Sequence, residues 1–130
     1  MAKQVIFDSN VWIAFLHKSD TQHKKALDFF ANQKEPIAIP EYVIIEVASV
    51  LLQKAGKKTS DEFLGVVMNN EDIEVLYAQD QFFNEVVDIF RKSSMKTLSF
   101  IDFVLLYLAR SYQVITFDKN LQKAIRVQGK

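Results

Sequence analysis

The chain has no cysteine. That excludes disulfides and thiolate metal sites and fits a reducing compartment. Glycine and proline number only three and two, and no stretch reads as a linker, an internal repeat or a low-complexity segment. There is no excess charge of either sign: sixteen Lys and Arg face sixteen Asp and Glu, for a formal net charge of zero. Global electrostatics therefore gives no case for nucleic-acid binding and leaves only local basic patches. The longest apolar run, Phe103 to Ala109, falls far short of the roughly 20 residues that span a bilayer. The opening Met1-Ala2-Lys3-Gln4 lacks the pattern of a secretion signal. The expectation is a soluble cytoplasmic protein. Its 130 residues with 49% hydrophobic content suit one domain over residues 1–130 with its own core and exclude disorder.

Apolar runs and helical spacings alternate along the chain. Val5–Phe7 reads as a buried strand, followed at once by helical sequence from Ser9 to Leu16. A second helix, capped by Asp20 or Thr21, runs to about Asn32. Pro36–Pro40 reads as a short strand, and Pro40 suits the first turn of a helix over Glu41–Ala55 that looks buried on every side and stops at Gly56. Lys57-Lys58 reads as a basic loop, with another helix opening at Thr59-Ser60-Asp61-Glu62. Ile73–Tyr77 reads as a strand. Gln79–Lys92 reads as a helix turning Phe82, Phe83, Val86, Val87, Ile89 and Phe90 inward, and Arg91–Thr97 as a basic loop. Ser99–Ser111 is a helix with the stripe Phe100, Phe103, Val104, Tyr107 and Leu108. Val114–Phe117 is a fourth strand and Asp118 to about Val127 a basic helix. This order predicts an α/β fold with a parallel sheet of four to five strands covered on both faces. No fifth strand is evident after the last helix.

Four acids lie where such a sheet could bring them together. Asp8 and Asp118 each end a strand and precede a helix, so each is also a natural helix N-cap. Ser99-x-x-Asp102 has the pattern of a capping box. Glu46 interrupts an apolar helix, where a carboxylate is costly unless it is paired with a cation, bound to a metal or at an exposed edge. In parallel sheets functional groups gather at the carboxyl ends of the strands. Four carboxylates there would repel one another and retain protons, which divalent cations relieve. All-oxygen ligation favours Mg²⁺ or Mn²⁺, one or two ions, and such sites activate water against phosphodiesters.

Val5-Ile6-Phe7-Asp8-Ser9-Asn10-Val11-Trp12-Ile13 resembles the opening motif of the PIN-domain nucleases. The segment Pro40–Leu52 with Glu46 is similar to their second motif, Leu98–Asp102 to their third, and Thr116-Phe117-Asp118-Lys119-Asn120-Leu121 to their fourth. Within that family the chain looks most like the VapC-type toxins. The resemblance implies a PIN-like three-layer α/β/α fold and metal-dependent endonucleolytic cleavage of RNA. It also implies a homodimer and an inhibitory antitoxin. The catalytic and metal-binding acids carry over to Asp8, Glu46, Asp102 and Asp118. Ser9, Asn10, Ser99 and Thr116 become the polar groups that orient them. Ser9 stands where the family more often has threonine, and the hydroxyl is kept.

Candidates for holding an RNA backbone are Lys54, Lys57, Lys58, Lys119 and Lys123, with Arg91, Lys92, Lys96 and Arg126 as further cations. Solvated surface charge is the plainer reading for most of them. Trp12 and Phe15 suit either base stacking or packing. His17 and His23 read as surface residues, and the apolar helices near Trp12 and Phe29-Phe30 as a face for a partner. Two rival functions remain. An aspartyl phosphatase would need a second acid at Asn10. A catalytically silent PIN-like module binding protein or RNA would leave the four acids without a reaction.

Overall fold

The computed structural model describes residues 3–130. Met1 and Ala2, part of the opening stretch read above, lie outside the described residues. The elements are β1 (Val5–Phe7), α1 (Ser9–Leu16), α2 (His23–Ala31), β2 (Ile37–Pro40), α3 (Glu41–Lys54), α4 (Lys57–Asn69), β3 (Ile73–Leu76), α5 (Asp80–Lys92), α6 (Phe100–Leu108), β4 (Gln113–Ile115) and α7 (Lys119–Gln128). The strands form one parallel sheet in the order β3-β2-β1-β4. Val5 pairs with Ile37 on one side and Gln113 on the other. All three residues of β1 are buried, although neighbouring side chains in a strand point to opposite faces. Both faces are therefore covered, as an α/β/α arrangement requires.

Packing follows from the apolar side chains the helices lay down. The ring of Phe7 stacks on Phe30 of α2 at 4.3 Å and meets Trp12 of α1 edge-on at 6.3 Å. Trp12 also meets Phe63 of α4 at 5.5 Å. Tyr42 of α3 reaches Phe83 of α5 and Phe100 of α6, at 6.4 and 6.5 Å. Burying such a ring is worth about 1.5–3 kcal/mol. Trp12 and Phe30 are thus spent on the core. Trp12 is only 2% exposed, which removes it as a base-stacking group, while Phe29 and Phe30 are half-buried and Phe30 lines a cavity with Trp12 and Phe15.

The structure departs from the sequence reading in several places. Lys57 and Lys58 open α4 instead of forming a loop. Gly56 at φ +98° ends α3, its N–H donating to the Leu51 carbonyl at 3.0 Å, and the next helix begins at once. Ser60 does not open α4 either; its hydroxyl donates to the Ala48 carbonyl at 2.8 Å and pins α4 to α3. Arg91 and Lys92 belong to the last turn of α5, where cations suit the helix dipole. On α5 only Val86 is buried, Phe82 and Val87 are half-buried, and Phe83, Ile89 and Phe90 are exposed. Three adjacent apolar pairs span too wide an arc for one helix to bury. Similarly, α3 buries Val43, Ile44, Val47 and Leu51 but leaves Ile45 61% exposed and Leu52 on the surface. Four strands are present among the described residues, and β4 ends at Ile115, so Thr116 and Phe117 lie beyond the ladder.

Candidate active site

The strand order reverses between β1 and β4, because the chain builds outward from β1 to β2 and β3 and then returns to the other side of β1. The crevice at the carboxyl ends of those two strands is the expected ligand site of an open parallel sheet. Asp8 leaves β1 there. Its backbone N–H donates to the Ile115 carbonyl at 2.9 Å, so β4 holds it in place.

Asp8 is 4% exposed. Its Oδ1 accepts the Ser9 N–H at 2.7 Å, capping α1, and its Oδ2 accepts the Thr116 hydroxyl at 2.7 Å. The oxygen of Thr116 in turn accepts the side-chain amide of Asn10 at 3.2 Å and the backbone N–H of Asp118 at 3.0 Å. Both of its acceptor positions are filled by N–H groups, which directs its single proton to Asp8. Asn10 also accepts the Phe117 N–H at 3.2 Å. The Gln122 side chain donates to the Thr116 carbonyl at 2.7 Å. This lattice joins the start of α1 to the β4–α7 turn.

The Ser9 hydroxyl faces two carboxylates, Asp8 at 3.2 Å and Glu46 by a short hydrogen bond. It carries one proton for two acceptors. Glu46 is half-buried on α3 and is tied to Asp8 through this hydroxyl. Asp102 closes a full capping box: its N–H donates to Ser99 Oγ at 3.1 Å, and its Oδ2 accepts the Ser99 N–H at 2.9 Å. Asp118 caps α7 by accepting the Leu121 N–H on Oδ1 at 3.0 Å.

Burial raises the Asp8 carboxyl above its ordinary range. The Thr116 hydroxyl and Ser9 N–H oppose this, and the charges of Asp102 and Glu46 push the same way as burial. Asp8, Glu46 and Asp102 therefore share one electrostatic neighbourhood. Asp118 joins it through Thr116 rather than by acting on Asp8. Among the described residues no three Asp, Glu, His or Cys side chains stand close enough to clasp an ion as they are. The acids are neighbours, not a closed cage. Their chemistry nevertheless suits a hard divalent cation: every donor is a carboxylate or hydroxyl oxygen. Positive charge beside Asp8 would relieve what burial and its two acidic neighbours impose.

Cap and site roles coexist in these residues. Asp102 and Asp118 each commit one oxygen to a helix N-terminus and leave the other without a hydrogen bond among the described residues. A cap orients the carboxylate, and the positive end of the helix offsets part of the mutual repulsion.

The cations divide by position. Helix α3 starts at the site end of β2 and runs away from it, so Lys54 lies about 12 Å down the axis from Glu46. Lys57 and Lys58 follow directly, and Lys57 pairs with Asp61 at 2.5 Å. The structure does not bring Lys54, Lys57 or Lys58 to the acids. Lys119 adjoins Asp118 and opens α7, with Lys123 one turn on. His23 is engaged with the Ala14 carbonyl at 2.7 Å. Gln122 and Phe117 were missed from sequence; the position of Gln122 four residues after the capping Asp118 was the available signal.

Comparison with known proteins bears on the fold and the family. A search of curated proteins finds no match. Among solved structures, the chain is similar to the Mycobacterium tuberculosis toxin VapC20, described as cleaving the sarcin-ricin loop. The TM-score is 0.86 and identity 16%, over 93% of this chain and 95% of that one. The family model for the PIN domain matches residues 5–127. That match runs from the first residue of β1 into the last turn of α7 and takes in all four acids, so the chain belongs to the PIN domain family.

Proposed function

We propose that this protein is a divalent-metal-dependent endoribonuclease and the toxin of a type II toxin–antitoxin pair. The observation that carries the reading is the placement of Asp8. It is buried at the β1–β4 crevice, oriented by Thr116 and Ser9, coupled through Ser9 to Glu46, and within the field of Asp102. Membership of the PIN domain family and the likeness to a toxin that cleaves the sarcin-ricin loop support it.

Asp8, Asp102, Asp118 and Glu46 are the groups that would hold Mg²⁺ or Mn²⁺. The chemistry such an ion supplies when bound is Lewis acidity toward the scissile phosphate and the attacking water. The protein's own groups do the rest. Thr116 holds the Asp8 carboxylate in one orientation. Ser9 keeps Glu46 beside it, and the Glu46 carboxylate accepts the proton lost by water as the new P–O bond forms. The bridging P–O bond on the opposite side breaks, and its oxygen takes a proton from solvent. Lys119 and Lys123, at the start of α7, hold the flanking phosphates.

RNA, an antitoxin and a second copy of the chain are the partners this reading entails. Phe83, Ile89 and Phe90, exposed on α5, support a protein-covered face. No helix among the described residues is long and apolar enough to cross a membrane.

Purified wild type and Asp8→Asn are to be incubated with total RNA in Mg²⁺, Mn²⁺ or EDTA. Discrete fragments that require metal and disappear in the variant are expected. No cleavage under any condition would instead make the protein a catalytically silent PIN-like binding module.

A further inference from the structure

Phe117 stands between Thr116, which orients Asp8, and Asp118, which caps α7. Its backbone is held by the N–H bond to Asn10, next in the chain to the groups that orient Asp8, and its ring meets α2. Helix α2 brings up two side chains one turn apart on one face. Phe29 stacks on Phe117 with centroids 5.7 Å apart and planes inclined by 26°, and the Lys25 ammonium lies 5.6 Å from the centre of the Phe117 ring. Both rings are only partly buried and Lys25 is exposed. Phe29 and Phe117 rest against the core on their inner side, as Phe15 and Phe30 do, while Trp12 lies within it. Among the described residues the one ion pair joins Lys57 to Asp61, so no carboxylate neutralises Lys25.

We propose that Phe117, Phe29 and Lys25 form the platform on which an unpaired nucleobase beside the scissile phosphate stacks, with Lys25 taking the adjoining phosphate. The inference rests on the nuclease reading for its substrate and deepens it by naming the contact. A partly exposed aromatic stack with a cation at its face accepts a base of any sequence, because every base has a π-face. Its position, one residue from the groups that orient Asp8, fits a nucleotide neighbouring the one that reacts. Lys25 answers a need of the site. A phosphate approaching Asp8, Glu46 and Asp102 meets negative charge, and a cation on the neighbouring nucleotide offsets that repulsion. Unpaired RNA is the class selected, since a paired base has both faces covered by its stack.

The test measures binding of an end-labelled single-stranded oligoadenylate, and of the same oligomer with abasic nucleosides, in EDTA, alongside thermal melts. Phe117→Leu is expected to weaken oligoadenylate binding about 5- to 100-fold and to leave the abasic oligomer unaffected. Lys25→Gln is expected to lower the salt dependence of binding by about one phosphate contact. Equal effects on both oligomers, or none at an unchanged melting temperature, would overturn the platform. Should Phe117→Leu fail to fold, Phe117→Trp carries the test. Quenching of its fluorescence by oligoadenylate but not by the abasic oligomer supports stacking, and no quenching overturns it. Steady-state cleavage separates the two proposals. A wild type that cuts RNA while Phe117→Leu keeps its KM removes the platform alone. A wild type that never cuts but loses base-dependent binding in Phe117→Leu keeps the platform and removes the nuclease.

Discussion

The Thr116 hydroxyl donates to Asp8 Oδ2 at 2.7 Å and ties together the ends of two neighbouring strands separated by 108 positions in the chain. Thr116 is 5% exposed and its other two hydrogen-bonding positions are taken by Asn10 and Asp118. One hydroxyl thus sets the direction of one acid, the backbone of a second and the side chain that steadies the turn.

Thr116→Val keeps the shape and removes all three bonds. Buried groups left without partners cost about 1–3 kcal/mol, and misorienting a metal-binding carboxylate typically costs 10- to 100-fold in activity. Urea unfolding and RNA cleavage are expected to show both losses, with Thr116→Ser restoring most of each. A valine variant as active as wild type would show that Thr116 does not orient the acid.

Asp8 gives a pH signature. Burial, joined by the charges of Asp102 and Glu46, raises its folded pKa above the ordinary value near 3.8. The folded state then holds this proton more tightly than the unfolded chain does. The resulting stability is complete below the ordinary value and is lost as pH rises through the raised one. In EDTA, Asp8→Asn is therefore expected to melt above wild type at pH 7, with the gap closing as pH falls toward about 4. Added Mg²⁺ should raise the melting temperature of wild type only. An asparagine variant that melts below wild type at pH 7 in EDTA would contradict a strained Asp8.

Ser99→Ala removes the half of the capping box in which Ser99 Oγ accepts the Asp102 N–H and keeps the residue-99 backbone N–H that holds the Asp102 carboxylate, whereas Asp102→Asn removes the carboxylate charge itself. Loss of the Ser99 cap costs about 1 kcal/mol and is expected to lower cleavage only with the folded fraction, whereas Asp102→Asn is expected to lower cleavage about 10-fold or more if Asp102 acts at the metal. Cleavage by Asp102→Asn that falls no further than its folded fraction would leave Asp102 with a purely structural role.

Lys57 and Asp61 form an exposed pair one turn apart on α4, a geometry worth at most about 0.5 kcal/mol. Joint replacement of Lys54, Lys57 and Lys58 by alanine is expected to change KM for RNA by less than about twofold, whereas Lys119→Ala should raise it through a lost phosphate contact. Parallel KM measurements decide between them; a large effect of the triple variant would place RNA along α3 and α4.

How much was legible beforehand differs by kind of signal. Local signals carried the strands and helices: the apolar run before Asp8, the proline pair around β2, Gly56 as a stop, and the Ser99–Asp102 box all appear where the sequence put them. They act within a turn or two of chain, so each is written in neighbouring residues. The face of α5 is not written locally: Phe82 is half-buried while Phe83, Ile89 and Phe90 are exposed, because what packs against the helix decides.

The sequence by itself determined an alternating chain whose acids follow strands or cap helices. Propensity, capping and hydrophobic period are short-range forces, and they suffice for that. Only the tertiary structure decided which acids share a field, that a single serine proton bridges Asp8 and Glu46, and that Thr116 has its proton directed to Asp8. It also carried Lys54, Lys57 and Lys58 away from the acids and set Lys25 and Phe29 against Phe117. Those relations join residues far apart in the chain, and parallel strand order and helix direction fix them.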